Sequence, residues 1–425
     1  MIQDANLPLG LEDLLKVAPV DFHGPNPEHQ KFVEQAAEAI LMLADQNGPE
    51  PAEVESTLLE NKDETPLALH LAAKLAKSRQ FVSKIKAPVK LSVVFAVYKE
   101  QHRLLTPEKH PSGEDFLRRK VSQLEWLSSA SGNLEWELVA VDDGCPNKSG
   151  AKIADLAESE NLSKVRVLHL QDAIDGRIPL VGKLTSTDQS RKGGSIRYGM
   201  WEASSATTKA NDHIILFTDA DLSTHLGQAG LLLNSILNSS KDCAIGSRRE
   251  PTSIVVKKGT RNTRGKLFIY LWKRMLSPAL GQIVDTQCGF KAFRAEAAQA
   301  ILGDLIESGF AFDVELLLKL EQMNPDGIVK VPIAWIDSEA ESTTTALSPY
   351  LTMLQSIAAM KRKYLPEDTE ADSFVNFVDS LTEDEWNEIV ERIPKTIADG
   401  NPLDFDQFKG VSSDDLQKII SQKGI

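Results

Sequence analysis

Short apolar runs separated by helical stretches constrain this chain more than any other feature. Lys90 to Val97 is rich in β-branched residues and almost free of charge, the pattern of a strand covered on both faces. Similar runs follow at Trp136 to Val141, Val165 to Leu170, His213 to Phe217, Cys243 to Gly246 and Val329 to Ile336. Strands alternating with helices predict a mainly parallel α/β sheet flanked by helices, Rossmann-like in plan.

The flanks have a different texture. From Leu7 to about Lys86 the pattern is helical, with Asn26-Pro27 as N-cap and first helical residue and with Phe32, Val33, Ala36, Ala37 and Ile40 on one face. After Tyr364-Leu365-Pro366 the chain turns acidic, and Thr382-Glu383-Asp384-Glu385 has the form of a capping box opening a helix with Trp386, Ile389 and Val390. The expected organisation is a helical N-terminal domain over 1–87, a sheet domain over 88–366 and an acidic helical tail over 367–425. A chain of 425 residues has ample length for one large core with such appendages.

Charge and cysteine usage exclude several classes of function. A net charge of -14 argues against an extended basic surface for nucleic acid or anionic lipid, while a local Arg cluster can still grip phosphate. Cys145, Cys243 and Cys288 form no CxxC pair, so neither a disulfide framework nor a structural zinc site is expected, and a reducing, cytoplasmic setting fits. The opening Met1-Ile2-Gln3-Asp4 lacks the pattern of a signal peptide, and no apolar run reaches the ~18 residues of a membrane span. A soluble protein is expected, which still allows peripheral membrane contact and a homo-oligomer. The histidines show no metal-ligand spacing.

Ligands of open α/β sheets bind beyond the carboxyl ends of the strands, so the residues just after each apolar run matter most. Tyr98-Lys99-Glu100, Asp142-Asp143-Gly144 and Asp219-Ala220-Asp221 all follow strands and would face one crevice. Two carboxylates at i and i+2 can turn toward a divalent cation that bridges phosphate oxygens, although Asp is also common in ordinary turns. Asp142 and Asp143 offer acceptors for a base N–H or a ribose hydroxyl, or simply build a turn. Lys192-Gly193-Gly194-Ser195 opens a helix whose amides can approach an anion while Arg191 or Lys192 neutralises it. Arg248 and Arg249 follow Gly246-Ser247, and Arg261 and Arg264 would be neighbours on a helix face. No G-x-G-x-x-G follows the first strand, which argues against a dinucleotide-dependent dehydrogenase.

In order, Ala96-Val97-Tyr98-Lys99-Glu100, Val141-Asp142-Asp143-Gly144, Lys192-Gly193-Gly194, Asp219-Ala220-Asp221-Leu222, Gly246-Ser247-Arg248 and Asp285-Thr286-Gln287-Cys288-Gly289-Phe290-Lys291 form a specific set. From about Lys90 to Pro366 the chain resembles the inverting family-two glycosyltransferases of GT-A fold, most of all those acting on dolichyl or polyprenyl phosphate. The resemblance implies a nucleotide-diphospho-sugar donor held by Ala96, Tyr98, Glu100, Asp142, Asp143, Arg191, Lys192, Gly193, Asp219, Ala220 and Asp221. It implies that Asp142 or Asp143 reads the nucleobase and that Asp219 and Asp221 hold Mg or Mn. It places the acceptor phosphate at Arg248, Arg261 and Arg264. Phe310-Ala311-Phe312-Asp313-Val314-Glu315-Leu316 resembles the glucosyltransferase branch and points to UDP-glucose over GDP-mannose. The chain departs from the family at Lys99, where Asn is usual, and in lacking membrane helices.

The implied reaction is one inverting displacement in which metal and basic groups stabilise the departing diphosphate. A phosphate acceptor needs positioning more than deprotonation, whereas a sugar hydroxyl needs a carboxylate base, for which Asp285 and Asp313 are the candidates beside Arg248. Two further readings follow: the same donor with a soluble sugar, metabolite or protein acceptor, and a non-catalytic nucleotide-sugar-binding protein.

Overall fold

The computed structural model describes residues 10–205, 212–256, 261–277, 279–337, 348–408 and 410–421. The expectations for Met1 to Asp4 and for Leu7 to Leu9 lie outside the described residues, as does the side chain of Arg261.

Four helices, α1 (Leu11–Val17), α2 (Pro27–Asp45), α3 (Pro51–Glu60) and α4 (Leu67–Ser83), build an apolar core of their own. Asn26 caps α2 by accepting from Glu28 N, with Pro27 in the first turn; Val33, Ala36, Ala37 and Ile40 are buried and Phe32 partly so.

The strands are β1 (Val89–Val97), β2 (Leu134–Asp142), β3 (Val165–His169), β4 (Asp212–Thr218), β5 (Cys243–Ser247), β6 (Ile254–Val256), β7 (Phe290–Arg294), β8 (Ile328–Pro332) and β9 (Ala334–Ile336). The main sheet has the order β3-β2-β1-β4-β7-β5-β8, parallel except for β7, which runs antiparallel to β4 and β5; β6 and β9 form a separate parallel pair. The run from Val165 thus stops one residue early, with Leu170 opening a helix. The single strand expected over Val329 to Ile336 divides in two. Pro332 can continue no ladder through a missing N–H, and Ile333 donates to Ser247 O at 3.4 Å while accepting from Ile254 N at 3.0 Å, so the chain changes sheets there.

Helices α5 (Phe116–Ser128), α6 (Ser149–Ser159), α7 (Leu170–Asp175), α8 (Gly193–Ser205), α9 (Ala229–Ser239), α10 (Arg261–Leu276), α11 (Ala295–Leu302) and α12 (Phe312–Met323) cover both faces. Leu91, Val93, Phe95 and Val97 of β1 meet α5 and α9 on one side, whereas Val94 meets α8 on the other. Burial of both faces explains why the strands read as continuous apolar runs. Helix α4 packs on α9, joining the N-terminal helices to the sheet.

The C-terminal helices α13 (Ser348–Tyr364), α14 (Thr369–Ser380), α15 (Glu383–Glu391), α16 (Lys395–Asp399) and α17 (Ser413–Ser421) pack around α10 and share the apolar core of the α8 face. The capping box at Thr382 and Glu385 forms, with Trp386 and Ile389 buried. Tyr270 of α10 sits edge-on to Phe374, Phe405 and Phe408 with ring centroids 6.3, 5.4 and 5.9 Å away, and its hydroxyl donates to Val411 O at 2.6 Å. No helix among the described residues is long and apolar enough to cross a membrane.

Candidate active site

The order of the sheet reverses between β1 and β4, and a crevice opens there beyond the strand ends. Because β7 runs against its neighbours, its first residue pairs with the last of β4, Phe290 with Thr218, which brings Asp285 to Gly289 to the same edge. That reversal is why a motif far along the chain joins acids that follow β1, β2 and β4.

At the centre lie Asp219, Ala220 and Asp221, with both acids half-buried. Asp219 N donates to Gly289 O at 3.2 Å, and the Asp219 carboxylate lies so close to Gly289 that a Cβ there would collide with it. The Lys192 ammonium contacts Asp219 Oδ1. Burial pushes the Asp219 carboxyl up, but Lys192, helped by Arg248 and Lys120, outweighs it and holds the group below its ordinary value. Asp221 goes the other way: burial and the charge of Asp219 push it up against the pull of Arg103 and Lys120. Its Oδ1 accepts from Ser223 N at 3.0 Å.

Glu100, after β1, is also pushed up by burial against the pull of Arg103, whose Nη1 donates to Glu100 Oε2 at 2.9 Å. Tyr98 is exposed at the rim and Ala96 half-buried on β1. Both carboxylates after β2 are engaged within the protein. Asp142 accepts from Cys145 N at 2.7 Å and Gly150 N at 2.6 Å, which shapes the turn into α6. Asp143 accepts from Lys192 N at 2.7 Å and Ser195 Oγ at 2.6 Å, so it ties the start of α8 to β2. The nucleobase-reading expected of this pair would therefore have to share acceptors already in use.

Arg191 and Lys192 have φ of 45° and 86°, a left-handed conformation that side chains disfavour. Gly193 then opens α8 against Gly309 O and Phe312, where a Cβ would not fit, and Gly194 N donates to Ser308 O at 3.0 Å. Lys192 thereby reaches the crevice while the amides of α8 face the loop before α12.

On the far rim, Arg248 grips Asp285 through N, Nε and Nη2 at 2.7, 2.8 and 2.7 Å. Burial opposes ionisation of Asp285, but Arg248 prevails and brings its pKa down to about 2. With both oxygens taken and so low a pKa, Asp285 is ill suited to the role of base considered from sequence. Arg248 is correspondingly engaged by Asp285 and lies 5.2 Å from the Trp335 ring centroid. Asp313 is buried, accepts from Gln287 Nε2 at 2.5 Å and Lys291 Nζ at 3.1 Å, and is pushed up by burial against Lys291. Arg264 lies half-buried on α10.

Lys120 and Glu114 escaped the sequence reading. Lys120 Nζ, fully buried, donates to the carbonyls of Asp219 and Asp221. Burial lowers its pKa to about 8 against the pull of Asp221, Asp219, Glu114 and Glu100. The available signal was a Lys on the apolar stripe of α5, one turn from Phe116 and Leu124.

Acidic and cationic groups thus converge on one edge in a pattern suited to a diphosphate and a divalent cation. Among the described residues no group of three or more His, Cys, Asp or Glu side chains gathers to hold a metal by itself. No family model matches the chain. Among solved structures, glucosyl-3-phosphoglycerate synthase from Mycobacterium tuberculosis in complex with Mn2+, UDP-glucose and phosphoglyceric acid overlays with a TM-score of 0.45 at 16% identity, covering 70% of this chain and 85% of that one. The chain is 29% identical over 275 residues to the dolichyl-phosphate beta-glucosyltransferase of Drosophila melanogaster, spanning 63% of this chain and 72% of that protein. With the enzyme of the same name from Dictyostelium discoideum it is 25% identical over 319 residues, 71% of this chain and 86% of that protein. These similarities support a glycosyltransferase. Its sheet is mainly parallel and flanked by helices. The motifs of the sequence set lie on the edge where β1, β2, β4 and β5 end or β7 begins, joined by Lys192-Gly193-Gly194 from the start of α8.

Proposed function

We propose that the enzyme transfers glucose from UDP-glucose to a phosphorylated acceptor such as a polyprenyl phosphate, with inversion at the anomeric carbon. The observation that carries this reading is the pair Asp219 and Asp221 at the end of β4, joined by Lys192 from the start of α8. The names of the matched relatives support glucose and a lipid phosphate.

Asp219 and Asp221 would hold Mg or Mn. They suit a hard cation because Asp221 is destabilised as a carboxylate by burial and by Asp219, a repulsion that a divalent ion would relieve. When bound, such an ion supplies charge stabilisation for the departing diphosphate. Lys192 and Arg191 would add cationic contacts to that diphosphate from the start of α8, where Gly193 lets the helix pack on the loop before α12. Ala96, Tyr98, Glu100, Asp142, Asp143 and Ala220 would line the donor. Arg248, Arg261 and Arg264 would draw the acceptor phosphate, whose oxygen is anionic already and needs no base. Asp285 then acts by holding Arg248, and Asp313 by anchoring Gln287 and Lys291.

We read 88–366 as the catalytic unit, with 1–87 and 367–425 as helical flanks that allow peripheral membrane contact or self-association. Three buried free cysteines, Cys145, Cys243 and Cys288, support a cytoplasmic setting. The test is transfer of labelled hexose by the purified chain with Mg or Mn, offering UDP-glucose and GDP-mannose against polyprenyl phosphate and soluble sugars. Glucosyl transfer to the lipid phosphate is expected. Transfer to soluble sugars alone would move the acceptor, and no transfer or donor hydrolysis under any combination would overturn the reading.

A further inference from the structure

The ladder of β4 ends at Thr218, so the main chain from Asp219 to Leu222 must find partners elsewhere. Asp219 N has Gly289 O. The other contacts come from the α5 side: Lys120 Nζ donates to Asp219 O at 2.9 Å and to Asp221 O at 2.8 Å, and Glu114 Oε2 accepts from Leu222 N at 3.3 Å. Both Lys120 and Glu114 are buried, and the Lys120 ammonium lies 5.7 Å from the centroid of the Phe95 ring. Burying an ammonium is costly, and here the cost is offset by the nearby carboxylates of Asp221, Asp219, Glu114 and Glu100 and by two carbonyls two residues apart. One donor reaching both holds them on the same side of the chain, which fixes the relative direction of the Asp219 and Asp221 side chains.

We propose that Lys120 is a positioning residue for the metal-holding acids: its paired hydrogen bonds set the main chain so that both carboxylates meet one divalent cation. The inference rests on the reading of Asp219 and Asp221 as metal ligands. It concerns hydrogen bonding and not charge alone, since an amide at the same place could also donate to two carbonyls.

The test uses the full chain and a readout independent of turnover, Mn2+ binding in the presence of UDP followed by the electron paramagnetic resonance of free Mn2+. Asp221→Asn should weaken Mn2+ at least about tenfold. Lys120→Met should do likewise, on the order of tenfold, while Lys120→Gln stays within about threefold of the wild type. Turnover at saturating Mn2+ should fall in Lys120→Met with a smaller change in the KM for donor. Lys120→Met that melts normally and binds Mn2+ like the wild type overturns the proposal, as does Lys120→Gln weakened as much as Lys120→Met. If Lys120→Met fails to fold, Lys120→Gln decides: retained affinity supports the proposal and a loss of about tenfold overturns it. A wild-type chain without Mn2+ affinity, or Asp221→Asn with undiminished affinity, instead overturns the metal reading beneath it.

Discussion

Two ion pairs of the crevice, one at its centre and one on its rim, differ in how far they are closed. Lys192 and Asp219 meet through one contact, with side chains 30% and 34% exposed. Arg248 and Asp285 share three hydrogen bonds, with side chains 15% and 5% exposed. In both, the cation outweighs burial and lowers the acid's pKa. The difference lies in reach: solvent and ligand can approach the first pair and exchange one partner for another, while the second is bound into the rim by its geometry. The open pair can trade its contact for a ligand, whereas the closed pair holds Arg248 in one place on the rim.

The comparison breaks most readily at Asp285. Asp285→Ala leaves Arg248 buried without its partner and should cost about 3–5 kcal/mol in urea unfolding. Asp219→Ala should lower hexosyl transfer by on the order of 10^2–10^3-fold while shifting the unfolding midpoint little. Equal losses of stability in the two variants would erase the distinction. Acid should separate them further. The folded Asp285 carboxyl sits at about 2 against an ordinary 3.8, so its contribution is fully present above the ordinary value and fades as pH falls through the folded one. That contribution is on the order of 2 kcal/mol, and Asp285→Asn should flatten this part of the unfolding profile between about pH 4 and 2. The smallest effect is expected at Trp335, whose ring faces Arg248: Trp335→Leu should cost about 1 kcal/mol, read by the same denaturation.

Much of the sheet could be read from the chain because its strands are covered on both sides, leaving no polar alternation to confuse them. β7 was missed because Phe290 to Arg294 carries Lys291, a charge that burial would normally exclude. The structure accommodates it through Cys288 O nearby in sequence and through Asp313 of α12, a partner remote from any local pattern. The acids and Lys192 were visible because each follows an apolar run or opens a helix. The turn at Asp142 was legible, whereas the partners of Asp143, Lys192 N and Ser195 Oγ, are brought in by folding. Lys120 was hidden for the same reason: spacing shows a Lys on an apolar stripe but not the two carbonyls above it.

The packing of the C-terminal helices on α10 bears on how the chain can be cut. Composition suggests a clean boundary after Pro366, yet Lys273 of α10 donates to Asp406 at 2.7 Å and Tyr270 is enclosed by Phe374, Phe405 and Phe408. A fragment ending at that proline would present an aromatic socket to water and invite aggregation. The acidic stretch thus covers an apolar face of α10, and expression boundaries should follow contacts and not composition.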